Sequence, residues 1–155
     1  MARESAGLLL HRRRNGAHEV LLVHPGGPFW TERMEGAWSI PKGEVAPGEP
    51  LLAVALREFE EELGAPPPQT ALVSLGSVRQ AGGKVVHGFG AAGDFDVSRL
   101  RSNTFDLEWP PRSGKIGTFP EVDQAAWFGP ESARRMLLPA QRPFIDRLLA
   151  VLTPP

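Results

Sequence analysis

One stretch of the sequence decides the fold, and it spans residues 43–65: GEVAPGEPLLAVALREFEEELGA. Pro50 suits the first position of a helix, and Gly64 followed by three prolines stops one, so this stretch predicts a helix over residues 50–63. Four apolar residues recur at helical spacing and predict the stripe that packs on the core: Leu52, Leu56, Phe59 and Leu63.

Acidic side chains crowd the second half of the same helix. Glu58, Glu61 and Glu62 are related by three and four residues, so they share one face, which is expected to lie well away from the apolar stripe. Like charges at this spacing destabilise a bare helix. A hard divalent cation would relieve the repulsion, because Mg²⁺ prefers oxygen ligands. A solvated acidic face is the alternative.

The spacing of seven residues in this stretch resembles the Nudix box, the signature of the Nudix hydrolase family. The seven are Gly43, Glu49, Arg57, Glu58, Glu61, Glu62 and Gly64. At ordinary residue usage, a chance match is on the order of 10⁻⁸ per window. Ala65 departs from the pattern, since the family prefers a bulkier aliphatic residue there. The resemblance implies an α/β fold in which a mixed β-sheet lies between helices, an α/β/α sandwich.

The resemblance also implies an activity: hydrolysis of the pyrophosphate in a nucleoside diphosphate linked to another moiety, with Mg²⁺ or Mn²⁺. Glu58, Glu61 and Glu62 would be the metal ligands, and one of them would serve as general base. Phosphoryl transfer depends on charge neutralisation and positioning, and metal ions supply both. A serine or cysteine nucleophile is not required.

The remaining box residues take supporting roles in the resemblance. Arg57 would orient the carboxylates through an ion pair, and it counts with them among the catalytic candidates. Glu49 would brace the loop or help at the metal site. Gly43 would permit the turn before the helix, and Gly64 is the glycine that ends it.

Two flanking segments refine the resemblance. Residues 38–44 read WSIPKGE and are similar to the Trp-x-x-Pro-Lys-Gly segment of Nudix proteins that act on dinucleoside polyphosphates or diphosphoinositol polyphosphates. Trp38 and Lys42 are therefore substrate-binding candidates, Lys42 as a point charge for phosphate. Glu121 lies six residues before Trp127, as in the Glu-His-x-x-x-x-Trp segment of diadenosine tetraphosphate hydrolases, although Val122 replaces the histidine. Glu121 is a fourth catalytic carboxylate in this interpretation, and an ordinary loop glutamate in the alternative.

A nucleobase needs a stacking surface, and the chain has no tyrosine. The aromatic candidates are Phe29, Trp30, Trp38, Trp109 and Phe119. Trp109 precedes two prolines and Arg112, which predicts a rigid lip carrying a cation, and both join the substrate-binding candidates. Four cationic side chains are candidates to reach the distal phosphates of a substrate, and the alternative is that they are solvated surface residues. They are Arg79, Lys84, Arg112 and Lys115.

The rest of the chain predicts alternating strands and helices in one domain, residues 1–155. Asn15-Gly16 predicts a tight turn between two strands. The Gly- and Pro-rich stretch over residues 25–50 predicts a long, ordered loop with a functional role. The expected strands cover 6–13, 18–24, 71–79, 84–92, 104–109 and 122–128, and the last helices cover 131–138 and 140–152. His24 and His87 are expected to be hydrogen-bonded structural residues.

Composition excludes several classes of protein. The chain has no cysteine, which removes disulfides, a thiolate nucleophile and a Cys-ligated zinc. A net charge of −1 argues against bulk electrostatic binding to nucleic acid or membrane. The longest apolar run is Leu51 to Leu56, too short for a membrane span or a signal peptide. We therefore expect a cytoplasmic protein. The resemblance to the Nudix family implies a small-molecule nucleotide as its partner, and homodimer formation is left open.

Three functional alternatives remain beside a dinucleoside polyphosphate hydrolase. The first is a housecleaning hydrolase of modified nucleoside triphosphates or nucleotide sugars. The second, a diphosphoinositol polyphosphate hydrolase, would want a denser basic patch than the net charge indicates. The third is a non-catalytic Nudix-like module that binds a nucleotide, although such modules typically lose box carboxylates and this sequence keeps them all.

Overall fold

The computed structural model describes residues 3–153. Along this part of the chain the strands and helices follow one another as β1 (Glu4–Arg14), β2 (Ala17–Pro25), β3 (Lys42–Glu44), α1 (Leu51–Leu63), β4 (Leu72–Arg79), β5 (Val85–Ala92), β6 (Thr104–Glu108), β7 (Ile116–Pro120), β8 (Val122–Phe128), α2 (Pro130–Met136) and α3 (Pro143–Leu152).

A mixed sheet forms the centre of the molecule. Its strands lie in the order β4-β5-β1-β2-β8, and β3 pairs with the first residues of β1. β1 runs parallel to β5, while its pairings with β2 and β3 are antiparallel. The β1–β2 turn falls at Asn15-Gly16, where the sequence predicts it. A mixed sheet of this kind matches the predicted α/β class.

Helices cover both faces of this sheet. Successive residues of β1 alternate between the faces, as a strand requires. Leu9 packs with the residues of α2 and α3, Phe144 and Leu148 among them. Leu8 and Leu10 pack on the opposite face with Phe59 and other residues of α1. The predicted sandwich of helices around a mixed sheet is therefore confirmed.

The buried face of α1 differs from the predicted stripe. Leu52 is 39% exposed and Leu56 is only partly buried, whereas Val54 and Ala55 are fully buried beside Phe59 and Leu63. The small side chains of Val54 and Ala55 pack with Ala6 of β1. This rotation brings Glu58 and Glu62, four and eight residues after Val54, to the border of the buried face. The expectation that the acidic face lies far from the apolar face is wrong.

A separate two-stranded ribbon lies outside the main sheet. β6 pairs antiparallel with β7, with Phe105 opposite Phe119. The sequence predicts β6 but treats residues 110–121 as a loop, so β7 was missed. Its residues alternate between exposed and half-buried, and it pairs with β6 alone, which leaves little hydrophobic pattern to reveal it. No helix within residues 3–153 has the length and apolar character needed to cross a membrane.

His24 ties the loop after β2 to the sheet. Its side chain is 2% exposed, and its Nδ1 lies 2.7 Å from Oδ1 of Asp123 on β8. Its Nε2–H donates to the carbonyl oxygen of Arg33 at 2.6 Å, because a carbonyl can only accept. The imidazole also meets the Trp38 ring edge-on at 5.4 Å. The structural role predicted for His24 agrees with these contacts.

We expect His24→Ala to lower the free energy of unfolding by about 2–4 kcal/mol, because it opens a cavity and leaves the Arg33 carbonyl without its partner. The measurement is urea denaturation at constant pH. His87→Ala is the matched control, since the side chain of half-buried His87 forms one hydrogen bond among the described residues, with the exposed carboxylate of Glu4 at 2.9 Å. That change should cost less than about 1 kcal/mol. Equal losses in the two variants would contradict the anchoring role.

Candidate active site

β3 and α1 meet at Gly43, which lies in β3 opposite Ala6 of β1. A side chain at this position would collide with the carboxyl group of Glu58. The backbone of Gly43 does not adopt a positive φ, so the predicted role in a turn is wrong. Glycine is needed here because the Glu58 carboxyl group rests directly on the strand.

An open cleft of about 480 Å³ lies between α1, β3 and the start of the β6–β7 ribbon. The structure brings four of the predicted glutamates and Lys42 together in it. The lining residues are Lys42, Gly43, Glu44, Glu58, Glu61, Glu62, Lys84, Asn103, Thr104 and Glu121.

Glu62 and Lys42 are half-buried neighbours in this cleft. The backbone N–H of Lys42 donates to Oε1 of Glu62 at 3.2 Å. Burial raises the pKa of the Glu62 carboxyl group to about 8, although attraction to Lys42 works in the other direction. Burial likewise lowers the pKa of the Lys42 ammonium group, and repulsion by Lys84 adds to this shift. A further positive charge in the cleft would favour the ionised form of Glu62.

The pKa of Glu58 is shifted in the same direction as that of Glu62. Burial raises the pKa of its carboxyl group, and the negative charge of Glu61 adds to the effect. The Arg57 guanidinium group works against the shift, with Nη2 3.6 Å from Oε1 of Glu58. Arg57 thus touches one of the carboxylates that it was predicted to orient.

Arg57 also joins α1 to the loop that precedes it. Its Nη1 donates to Oε2 of Glu49, and Oε1 of Glu49 accepts the backbone N–H of Ala46 at 2.8 Å. The Arg57 hydrogen bond lowers the pKa of Glu49. Glu49 does not line the cleft. Of the two roles considered for Glu49, these contacts match the bracing of the loop.

Residues 101–103 connect the end of α1 to Glu121. The backbone N–H groups of Arg101 and Asn103 donate to the carbonyl oxygens of Leu63 and Glu61, which the helix itself leaves unpaired. The N–H of Glu121 in turn donates to the carbonyl oxygen of Asn103 at 2.8 Å. This chain of hydrogen bonds holds Glu121 beside the carboxylates of α1.

Gly64 makes that connection possible. Its φ of 78° belongs to the left-handed region that ends the helix, and a side chain there would press on the carbonyl oxygen of Arg101. Asn103 and Thr104 are cleft residues that the sequence analysis missed. The polar run of Ser102, Asn103 and Thr104 between apolar segments is the only signal that points to them.

Trp38 is a core residue, which corrects its assignment to substrate binding. It is 1% exposed and packs edge-on against Phe128 at a centroid distance of 5.1 Å. A ring enclosed in this way cannot stack on a nucleobase. Its isolated bridge to Leu137 and the bond from its backbone N–H to the Met136 carbonyl oxygen fasten the loop to the end of α2.

Trp109 and Arg112 lie away from the carboxylates. Both follow the far end of β6, about 16 Å along the ribbon from Thr104 at the edge of the cleft. Trp109 is half-buried and meets exposed Phe29 edge-on at 5.1 Å. The backbone N–H of Arg112 donates to Oε1 of Glu108 at 2.8 Å. The structure does not bring these two residues into the cleft, so their substrate-binding role stays a prediction.

The donor set of the cleft fits a hard divalent cation. Glu58, Glu61 and Glu62 offer only oxygen atoms, which Mg²⁺ and Mn²⁺ prefer. The raised pKa values of Glu58 and Glu62 reflect burial and mutual repulsion that a cation would offset. Among residues 3–153, no group of three acidic or histidine side chains is arranged so that it could hold a metal ion as it stands. The three carboxylates would therefore have to draw closer together around a bound ion.

Known proteins resemble this chain in sequence and in fold. A family model described as the NUDIX domain matches residues 1–148. The asymmetrical bis(5′-nucleosyl)-tetraphosphatase of Sus scrofa is 37% identical over 79 residues, which cover 47% of this chain and 50% of that protein. The match thus spans about half the length of this curated relative.

Two solved structures share the whole fold. The Ap4A hydrolase of C. elegans, in a binary complex, superposes with a TM-score of 0.65 and 23% identity, covering 97% of this chain and 98% of that one. The NUDIX domain of Shewanella oneidensis NrtR, complexed with ADP ribose, gives a TM-score of 0.66 and 18% identity, covering 99% and 90%. At these identities the likeness concerns the fold.

Proposed function

The chain belongs to the NUDIX family, and on that basis we propose that it is a metal-dependent pyrophosphohydrolase. Its substrate is a nucleoside diphosphate linked to another moiety. The observation that carries this proposal is the composition of one cleft, where Glu58, Glu61, Glu62 and Glu121 face Lys42 and Lys84. Carboxylates that bind a cation and ammonium groups that bind phosphate are the two components that phosphoryl transfer needs.

The cleft residues have three roles in this mechanism: cation ligand, phosphate-binding group and general base. A divalent cation, Mg²⁺ or Mn²⁺, would neutralise phosphate charge and activate water. Glu58, Glu61 and Glu62 would hold it, and the close approach of Glu58 to Gly43 gives the first of these carboxylates a defined position against β3. Lys42 and Lys84 would pair with phosphate oxygens. One of the cleft carboxylates, Glu121 among them, would accept the proton of the attacking water.

Attack by water suits the lining of the cleft. The sequence has no cysteine. Among the cleft residues that the structure describes, the only hydroxyl group belongs to Thr104, and no histidine lines the cleft to activate it. A covalent intermediate on the chain therefore has no support, whereas the four carboxylates supply both a metal site and a base.

We propose dinucleoside polyphosphates, such as diadenosine tetraphosphate, as the preferred substrate class. The 37% identity with the pig tetraphosphatase supports this choice. The Trp38–Gly43 segment and the spacing of Glu121 and Trp127 support it as well. Hydrolysis of modified nucleoside triphosphates or nucleotide sugars, and nucleotide binding without catalysis, are the alternatives to test.

A single substrate panel tests the proposal. Purified protein would be assayed with diadenosine tetraphosphate, nucleoside triphosphates, ADP-ribose and nucleotide sugars, with Mg²⁺, with Mn²⁺ and with EDTA. We expect the highest kcat/KM for diadenosine tetraphosphate and no turnover in EDTA. Preference for ADP-ribose or a nucleotide sugar would overturn the substrate assignment. Micromolar nucleotide binding without turnover would overturn the enzymatic proposal in favour of a binding module.

A further inference from the structure

The turn between β4 and β5 forms a second depression in the surface. We call it the hairpin pocket, and it has a volume of about 480 Å³. Its lining consists of Arg3, Arg79, Gln80, Ala81, Gly82, Gly83 and Lys84. Three of these seven residues are cationic and none is acidic. On a chain whose net charge is −1, this is a local concentration of positive charge.

The backbone of this turn is firmly anchored. The N–H of Gln80 donates to the carbonyl oxygen of Lys84 at 2.7 Å, and the N–H of Gly83 donates to that of Gln80 at 3.0 Å. The side-chain oxygen of Gln80 accepts a hydrogen bond from the fully buried amide of Gln141 at 2.8 Å. The pocket is therefore a preformed feature, held to the core by Gln141.

The cations of the pocket differ in how far they are already paired. Exposed Arg3 forms an ion pair with Glu44 at 3.2 Å. Nη1 of Arg79 donates only to the carbonyl oxygen of Gly83, at 3.3 Å. Neither Arg79 nor Lys84 is in an ion pair with any carboxylate of the described residues, whereas Arg3 in the same pocket is paired. Arg79 and Lys84 thus have charge available for an anion.

Lys84 joins this pocket to the carboxylate cleft. Within the part of the chain that the structure describes, Lys84 is the one residue that lines both depressions. On one side of Lys84 lie the glutamates that would hold a cation, and on the other side lie Arg79 and the glycine turn. A phosphate chain whose scissile bond is at the cation would pass Lys84 and place its remaining phosphates against Arg79.

We propose that the hairpin pocket is a subsite for the phosphates of the substrate beyond the scissile bond, with Arg79 as the residue that selects long phosphate chains. The proposal rests on the proposed function for the identity of its ligand. Arg79 would bind two phosphate oxygens with its planar guanidinium group, a geometry that lysine does not offer. The chemistry recognised is a run of consecutive phosphates.

Binding without turnover gives the first test. In EDTA, inorganic tetraphosphate would be titrated into ¹⁵N-labelled protein while the amide signals of Gly82 and Gly83 are followed. We expect both signals to shift, and we expect the Kd to rise about tenfold in Arg79→Gln, the effect of losing a charge-assisted pair. Arg99→Gln, which removes an exposed cation outside both depressions, should leave Kd unchanged. Equal Kd values for wild type and Arg79→Gln would overturn the subsite.

Steady-state kinetics give the second test. For diadenosine tetraphosphate, Arg79→Gln should raise KM about tenfold with a much smaller change in kcat, and Arg79→Lys should recover part of the loss. A loss confined to kcat would contradict a binding subsite. Tighter binding of diadenosine tetraphosphate than of inorganic tetraphosphate would support a nucleotide chain as the ligand, and the reverse would overturn that assignment. If the wild type hydrolyses no nucleotide, the proposed function fails, while the titration still decides whether the pocket binds phosphates.

Discussion

Replacing Glu62 by Gln is expected to lower kcat/KM by about 10³-fold, the scale seen when one group that stabilises the transition state is removed. The carboxylate lies beside Lys42 in the cleft, where burial raises its pKa and a bound cation would favour its ionised form. Turnover of diadenosine tetraphosphate with Mg²⁺ is the measurement. Glu60→Gln is the matched control on the same helix, since Glu60 is exposed and does not line the cleft. It should change kcat/KM less than about twofold.

The same substitution should change how stability depends on pH. The pKa of Glu62 is raised to about 8 in the folded protein, above its ordinary value of 4.5. Between these two values the folded state holds a proton that the unfolded state has released. The contribution of Glu62 to the stability of the metal-free wild type is therefore greatest below pH 4.5 and is lost as the pH rises towards 8, with a total change on the order of 4 kcal/mol. Glu62→Gln should remove this slope, and added Mg²⁺ should flatten it in the wild type.

Two results would contradict this account of Glu62. One is Mg²⁺-dependent hydrolysis that survives Glu62→Gln unchanged. The other is a metal-free stability that rises between pH 5 and 8 in the wild type relative to Glu62→Gln, which would mean that the Glu62 carboxylate is better stabilised in the folded state than in water. Chemical denaturation at several pH values, with and without EDTA, distinguishes these outcomes from a general loss of folding.

Gly43→Ala is expected to be nearly as damaging, with a loss of at least 10²-fold in kcat/KM. The added methyl group would occupy the position of the Glu58 carboxyl group, so Glu58 or the strand β3 must move. A displacement of about 1 Å in a catalytic group is enough for a loss of this size. We expect the variant to fold, with an unfolding free energy reduced by about 1–3 kcal/mol, as in other overpacked sites.

Gly129→Ala provides the control for this glycine. Gly129 precedes α2 with a φ of −66°, and a methyl group there would meet no atom within 4 Å. Activity and stability should both stay close to wild type. If Gly43→Ala kept full activity, Glu58 would not need its observed position, and its assignment as a metal ligand would be wrong.

Local signals in the sequence account for most of the fold. The helix predicted over 50–63 spans Leu51–Leu63, and the Asn15-Gly16 turn is where it was expected. Pro50, Gly64 and an Asn-Gly pair act through the backbone of their own neighbours, so one sequence is enough to recognise them. Seven residues at fixed spacing carry the resemblance to the family in the same way.

The sequence-based predictions that are wrong concern contacts between distant parts of the chain. Leu52 and Leu56 have the spacing of an apolar stripe that faces the core. In the structure, the small side chains of Val54 and Ala55 are the ones that pack against β1. Trp38 has the sequence context of a binding residue, yet it fills the space between His24 and Phe128. Spacing along a helix cannot decide which side meets the sheet when apolar residues occur on both sides. Only the packed structure resolves that choice.

Gly43 is a case in which the sequence indicates the right residue but the wrong structural reason for it. The sequence indicates that glycine is required, and a turn is the usual reason. The structural reason is the close approach of a side chain from α1, fifteen residues further along the chain. Asn103 is the opposite case, since an ordinary polar residue gains its role through backbone bonds to Glu61 and Glu121. Neither relationship has a signature in a single sequence.

The ribbon formed by β6 and β7 begins and ends at one hydrogen bond, between the carbonyl oxygen of Asn103 and the N–H of Glu121. Residues 104–120 thus leave the main fold and return to it at the same place, because this hydrogen bond joins the residues that flank them. Changes of length at its exposed tip need not disturb either end, because loops closed by a fixed base tolerate insertion and deletion. The length and sequence of the ribbon can therefore vary while Glu121, which follows its last strand, keeps its position beside the carboxylates of α1.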